Sequence, residues 1–261
     1  MNILRKLRKF LTDPKSIVPF FQSKISISLK FVAKNYNLHI MSMVCKRANR
    51  LSEVCELNEI EGRSRLNSDI GDHLITLFVE SLISNPKLIV ELGIRGGEST
   101  FVFERVAKLC HAQLVSVDIV DCSSVSSYKE WKCIKDDDIR FASYFVNWCK
   151  DRHIKPEIDL LLVDTSHIFE HTVAEIDSWF PFLSKKAKVF FHDTNMGKMY
   201  FTKKGYFNFG WDSNRGVIRA LENYFNTTFN EKEDFVDIKN GWLIKHHAYC
   251  NGLTILEKID F

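Results

Sequence analysis

The sequence contains no C-x-x-C pair, no G-x-G-x-x-G loop and no internal repeat. No apolar run approaches the roughly 18 residues that cross a bilayer. Each absence removes a class of protein. Seven scattered cysteines, an odd number, argue against a disulfide framework or zinc knuckle and suit a reducing cytosol. Eleven Gly and five Pro are too few for a linker-rich or low-complexity chain. No continuous apolar segment follows Arg5, Lys6, Arg8 and Lys9, so a secretory leader is not expected. What is present is 261 residues, 45% hydrophobic and 26% charged, enough for one large core with an appendage.

The net charge of +3 hides an asymmetry. Residues 1–66 hold 13 Lys/Arg against 5 Asp/Glu, and the remainder holds 23 against 28. A basic arm is therefore joined to a mildly acidic body, and an acidic body does not suit nucleic acid. Within residues 1–12, Ile3, Leu4, Leu7, Phe10 and Leu11 fall on one helical face with basic residues opposite, and Asp13-Pro14 ends the pattern. Such a helix either lies on an anionic membrane surface or docks on its own body or a second subunit. Residues 24–58 look mainly helical. The region up to 66 reads as a basic helical extension that packs beside the following fold or mediates contacts in a homo-oligomer.

From about residue 67 to 261 the pattern is regular. Helices are expected over 72–83, 98–110, 138–152, 169–183 and 216–229. Strands are expected over 88–92, 114–120, 131–134, 158–163 and 187–191, with closing strands over 235–238, 242–245 and 253–258. Alternation of this kind predicts an α/β fold whose mostly parallel sheet is covered on both faces and carries an antiparallel edge. Ligands in such sheets sit at the carboxyl ends of the strands. Four of those ends carry polar residues.

The first strand runs into Glu91-Leu-Gly93-Ile-Arg-Gly-Gly97-Glu-Ser99-Thr100. The glycines permit a tight turn and a close ligand, and the loop opens a helix with free amides. An acid at this strand end would repel a pyrophosphate and suit a cation. The second strand ends at Asp118, and Asp137 follows the third. The pattern Glu91-x-Gly93-x-x-x-Gly97 resembles the nucleotide loop of class I S-adenosylmethionine-dependent methyltransferases. That resemblance implies a Rossmann-like sheet. It assigns Glu91, Gly93, Gly97 and Ser99 to the cofactor's amino acid end and nucleoside, Asp118 to the ribose hydroxyls, and Asp137 to the adenine side.

The fourth strand leads into Asp164-Thr-Ser-His167 and the fifth into His192-Asp193. Neighbouring buried carboxylates are costly unless a cation or proton is shared, and a hard divalent ion resolves the repulsion. Consecutive strand residues point opposite ways, so His192 or Asp193 should face away from the site. These residues resemble the metal-dependent O-methyltransferases of antibiotic sugars and the related cephalosporin hydroxylase-like group. The resemblance implies magnesium or manganese at Asp164, His192 and Asp193, with His167 as base beside Asp164. His192 departs from the acid usual there, and a neutral imidazole is a poor magnesium ligand. Glu170 and His171 read as solvated or packing residues of the next helix.

Residues 196–211 are dense in aromatics and follow the fifth strand, where a substrate loop belongs. Aromatic faces stack on sugars or phenols, and Lys198, Lys203 and Lys204 suit an anionic acceptor; the bland alternative is a cover over the core. The expectation is methylation of a sugar hydroxyl in a bacterial surface glycan or glycoside. The setting would be cytoplasmic, or peripheral at the inner membrane face. The alternatives are a phenolic acceptor, a nucleotide-cofactor oxidoreductase, and a non-catalytic membrane-associated subunit of a glycan assembly complex.

Overall fold

The computed structural model describes residues 17–45 and 52–259. The basic helix expected over residues 1–12 lies outside them. The chain order begins with helices α1 (Ile17–Cys45), α2 (Cys55–Ser64) and α3 (Leu74–Ser84). Strand β1 (Leu88–Leu92), α4 (Glu98–Cys110), β2 (Gln113–Asp118), β3 (Trp131–Lys135) and α5 (Asp138–Lys150) follow. Next come β4 (Ile158–Val163), α6 (Phe169–Trp179), β5 (Leu183–His192), β6 (Met199–Phe201) and β7 (Phe207–Phe209). The chain closes with α7 (Gly216–Phe225), β8 (Phe235–Lys239), β9 (Trp242–His247) and β10 (Leu253–Lys258).

Eight strands form one sheet in the order β3-β2-β1-β4-β5-β10-β9-β8. The five strands from β3 to β5 run parallel, while β10, β9 and β8 add an antiparallel edge. Strand order reverses between β1 and β4, which opens a crevice above their carboxyl ends. This is the Rossmann-like sheet expected from the sequence.

Period-2 alternation divides the core. Leu88, Val90 and Leu92 join one buried cluster with Phe141 and Phe145 of α5, Trp179 of α6 and Leu221 of α7. Ile89 joins the opposite cluster with Phe78 of α3, Phe103 of α4 and Ile60 of α2. Helix α2, expected in the basic extension, thus contributes to the main core. The long α1 is tied to β7 instead: the Asn37 amide donates to the Phe207 carbonyl and accepts from its N–H, both at 2.7 Å.

Several boundaries differ from the sequence expectation for local reasons. The helix expected from 72 starts at Leu74, preceded by a 3-10 turn over Gly71–His73. The His73 ring there is held by the carbonyls of Tyr249 and Cys250. The helix expected to reach 183 stops at Trp179, where Phe180-Pro181-Phe182 forms a 3-10 turn. A proline there cannot donate to a continuing helix. Strand β5 consequently begins at Leu183, four residues early. The helix expected to 229 ends at Phe225, because Asn226 adopts a left-handed conformation at φ 49°. The expected loop over 196–211 contains the β6–β7 hairpin.

Phe145 packs edge-on or tilted against Phe141, Trp179 and Phe182, with ring centroids 5.2 to 5.7 Å apart. Phe145→Ala leaves a cavity at that junction and should destabilise the fold by about 3–5 kcal/mol. Urea denaturation measures this; a change under about 1 kcal/mol would show that the aromatic cluster does not anchor α5 to the sheet.

Candidate active site

A cleft of roughly 380 Å³ lies above the carboxyl ends of β1, β2 and β4, within the range of ligand pockets. Its walls include Gly93, Ser99, Asp118, Asp137, Asp164 and His167. Six of the ten residues expected from the sequence therefore share one cavity wall. Gly97, Glu91 and the His192–Asp193 pair take other places.

The glycine loop is shaped by two close approaches. Gly93 has φ +87°, and a Cβ there would lie 2.0 Å from the Asp164 carbonyl oxygen. Only glycine lets the ends of β1 and β4 meet this closely. Gly97 caps α4 at φ +78°, against Val125. Asp118 holds the same loop: its Oδ2 accepts from the N–H groups of Ile94 and Arg95 at 2.9 and 3.1 Å. Its Oδ1 accepts from the Val120 N–H at 2.8 Å. Burial would raise this carboxyl, but the three N–H bonds hold it below the ordinary range. Asp137 caps α5 by accepting from the Arg140 N–H.

Glu91 does not line the cleft. Alternation along β1 turns it toward the α4 face of the sheet, where it is fully buried. Ser99, Thr100 and Ser116 each donate a hydroxyl to it at 2.6, 2.8 and 2.5 Å. Trp131 Nε1 in turn donates to the Ser116 hydroxyl. Glu91 therefore ties the N-terminus of α4 to the sheet beneath the loop.

At the other end of the cleft, four side chains converge. His192 Nδ1 lies 3.1 Å from Asp164 Oδ1 and 3.6 Å from Asp193 Oδ2. His167 Nε2 lies 3.1 Å from Asp193 Oδ2. Strand alternation does not extend to this pair because Asp193 lies past the end of β5 and turns left-handed at φ 58°. That twist brings its carboxylate round beside His192. His167 adopts the same unusual conformation at φ 58°. Two non-glycine residues held left-handed at one site is strain of the kind that clusters where chemistry occurs. Burial disfavours a charged His192, yet Asp193 and Asp164 outweigh it and raise the imidazole to about 10. Burial likewise opposes the Asp164 charge, and His192 holds that carboxyl below its ordinary range. Asp193 is raised, chiefly by burial.

One donor atom from each of Asp164, His167 and Asp193 lies within 4.8 Å of the others. Asp193 Oδ1 is buried without a hydrogen-bond partner. This donor set fits a divalent cation. His192 stands behind it as the partner of Asp164. His167 does not cap the next helix, which Ile168 precedes without a side-chain bond.

Two residues escaped the sequence reading. His171, read as a solvated or packing residue of this helix, is half-buried, lines the cleft and meets Asp138 at 3.1 Å. A histidine in the first turn after a strand-end acid was the available signal. His73 stacks on Tyr249 and sets its ring edge-on to His192, centroids 5.8 Å apart. No local motif marks it.

A second, smaller hollow shares Arg95, Gly96 and Glu98 with the cleft and is lined by Asn67, Asp69, Tyr200, Asn208 and Phe209. Trp211 lies beside His167, ring centroids 5.8 Å apart. The hairpin is pinned rather than loose: Tyr206 is buried and donates its hydroxyl to the Arg65 carbonyl. All three expected acceptor lysines are engaged elsewhere, Lys198 with Asp212 at 3.4 Å. Lys204 pairs with Asp72, and Lys203 lies over the Tyr249 ring.

Comparison with known proteins agrees with this geometry. Residues 90–194 match the family model of a methyltransferase domain. The unit they build has the class I, Rossmann-like methyltransferase fold. No curated protein sequence matches the chain. Among solved structures, the Podospora anserina methyltransferase PaMTH1 bound to SAH is 12% identical with a TM-score of 0.52. That match covers 85% of this chain and 94% of that one. A methyltransferase from Geobacter sulfurreducens gives 12% identity and 0.52, covering 85% and 96%. The MycE methyltransferase of the mycinamycin biosynthetic pathway, in complex with Mg, SAH and mycinamycin VI, gives 15% identity and 0.50. That match covers 81% of this chain, which spans only 55% of the MycE chain.

Burial raises Glu91 from 4.5 to about 7 against the pull of its three hydroxyl donors. The folded protein thus binds the Glu91 proton more tightly than the unfolded chain does. The associated stability is complete below 4.5 and is lost as pH rises through 7. Glu91→Gln keeps the shape without the charge. It should stabilise the protein by about 3 kcal/mol more at pH 8 than at pH 4. Denaturant midpoints at the two pH values measure this, and an equal effect at both would contradict it.

Proposed function

We propose that the protein is an S-adenosylmethionine-dependent O-methyltransferase acting on a sugar hydroxyl of a glycan or glycoside. The observation that carries the reading is the adjacency of two places. A cofactor-sized cleft lined by Gly93, Ser99 and Asp118 reaches Asp164 and His167, and the hollow under the hairpin joins it along Arg95, Gly96 and Glu98. Ser99, Asp118 and Asp137 offer hydroxyl and carboxylate oxygens to a cationic, hydroxyl-bearing nucleoside. The hollow combines amide and carboxylate groups of Asn67, Asp69 and Asn208 with the faces of Tyr200 and Phe209. That mixture suits a polyhydroxylated ring with one polar edge and one apolar face.

A sugar hydroxyl is a weak nucleophile at neutral pH. His167 is placed to take its proton, and Asp193 orients the imidazole and stabilises the charge that develops. His192 holds Asp164 ionised in the same way. Asp164 and Asp193 would hold a magnesium or manganese ion. The chemistry such an ion supplies is a lowered pKa at the acceptor oxygen. Methyl transfer then needs only in-line alignment of that oxygen with the sulfonium carbon, a positioning task for the cleft and hollow together.

The basic arm supports placement of the enzyme at an anionic membrane face, where a surface glycan would be built. Residues 14–52 contain seven Lys/Arg and no acidic residue. Ile27, Phe31 and Leu38 of α1 are exposed. No described helix is long and apolar enough to cross a membrane. Removing residues 1–14, with their four Lys/Arg, should weaken co-sedimentation with anionic liposomes; unchanged sedimentation would reject the placement.

Turnover tests the main reading. Release of S-adenosylhomocysteine is expected with glycoside or nucleotide-sugar acceptors. His167→Ala should lower kcat by 10²- to 10⁴-fold while cofactor binding persists, as loss of a general base requires. Turnover with catechols alone would move the acceptor to phenols. An unchanged rate in His167→Ala would remove the proposed base.

A further inference from the structure

A second group of donors converges on the α5–α6 wall of the cleft. His171 and Glu175 lie one turn apart on α6, so their side chains leave the same face of the helix. Asp138, the first residue of α5, faces both. His171 Nε2 lies 3.1 Å from Asp138 Oδ1 and 3.8 Å from Glu175 Oε1. One donor atom from each of the three lies within 4.8 Å of the other two. Thr165, next to Asp164 in the loop after β4, donates its hydroxyl to Glu175 Oε1 at 2.6 Å.

These contacts leave two oxygens over. Asp138 Oδ2 and Glu175 Oε2 are both buried with no hydrogen-bond partner. The Glu175 side chain is 0% exposed and that of Asp138 6%. Buried carboxylates placed this close repel unless they share a proton or positive charge, which the His171 imidazole, raised to about 9 beside Asp138, or a bound cation supplies. Two carboxylates and one imidazole form a mixed oxygen and nitrogen set, which suits zinc, manganese or cobalt rather than the all-oxygen preference of magnesium. Asp138, Thr165 and His171 also line the cleft, so a further coordination position would open toward it.

We propose that Asp138, His171 and Glu175 form a second cation site, which takes a divalent transition metal of the zinc or manganese class. The site uses none of the residues assigned above to the base or to the first cation. It stands whether or not methyl transfer is the reaction. A bound ion would clamp α6 to α5 at the wall of the cleft and screen the two carboxylates from each other.

The test is titration of metal-free protein with Co²⁺, read by visible absorption and by elemental analysis after desalting. One equivalent should be lost in Glu175→Gln and in His171→Ala and retained in Asp193→Asn. Glu175→Gln preserves side-chain shape, and an unchanged far-UV spectrum with a cooperative melt confirms that it folds. Zn²⁺ should raise the Tm of the unmodified protein, and part of that rise should vanish in Glu175→Gln. The proposal is overturned if cobalt binding is unaffected in both His171→Ala and Glu175→Gln. It is overturned equally if all binding disappears in Asp193→Asn, or if the folded protein binds no cobalt. S-adenosylmethionine binding, measured separately, does not enter this result.

Discussion

The structure depends on how negative charge is accommodated at the carboxyl edge of the sheet. Asp118, Asp137, Asp138, Asp164 and Asp193 crowd the strand ends, and Glu91 and Glu175 lie buried just beneath. Each is tolerated for a specific reason. Asp118 is held by backbone N–H groups, Glu91 by hydroxyls, and the Asp164–Asp193 pair by His192 and His167. Moving two charges out of water together costs several kcal/mol without such partners. The fold places the acids, and an acidic cleft suits cations and hydroxyl-bearing groups better than a pyrophosphate.

The same constraint links the loop to the chemistry. Gly93 brings the end of β1 against the carbonyl of Asp164, so the two ends of the cleft share one backbone contact. Asp118 braces the loop from β2, and Glu91 pins the helix that follows it. At the far end, Asp193 and His167 are bent left-handed into contact. Positioning is thus built into the ends of four adjacent strands rather than into mobile side chains. The hairpin beside them is equally fixed, through Asn37 and Tyr206.

Much of this was legible in the sequence, because apolar runs, helical periodicity and glycine spacing are local signals. The sheet, its antiparallel edge and the acid-bearing strand ends all follow from them. What was not legible depends on geometry beyond a single element. Glu91 was placed at the cofactor by its position in the chain, whereas alternation along β1 turns it beneath α4. Alternation in turn misjudged His192 and Asp193, because the left-handed twist after β5 could not be read from the residues. His171 reads only as a solvated or packing residue because its partner, Asp138, is 33 residues away on another helix. His73 acquires meaning only when β5 and the loop before β10 fold against it.

The acidic, glycine-floored cleft is proposed as a site for S-adenosylmethionine. Calorimetric titration of the folded protein with S-adenosylmethionine and, separately, with NAD tests it most directly. The account predicts a one-to-one complex with S-adenosylmethionine and none with NAD, whose pyrophosphate would meet Asp118 and Asp164. Binding of NAD without binding of S-adenosylmethionine, with or without added magnesium or manganese, would contradict it.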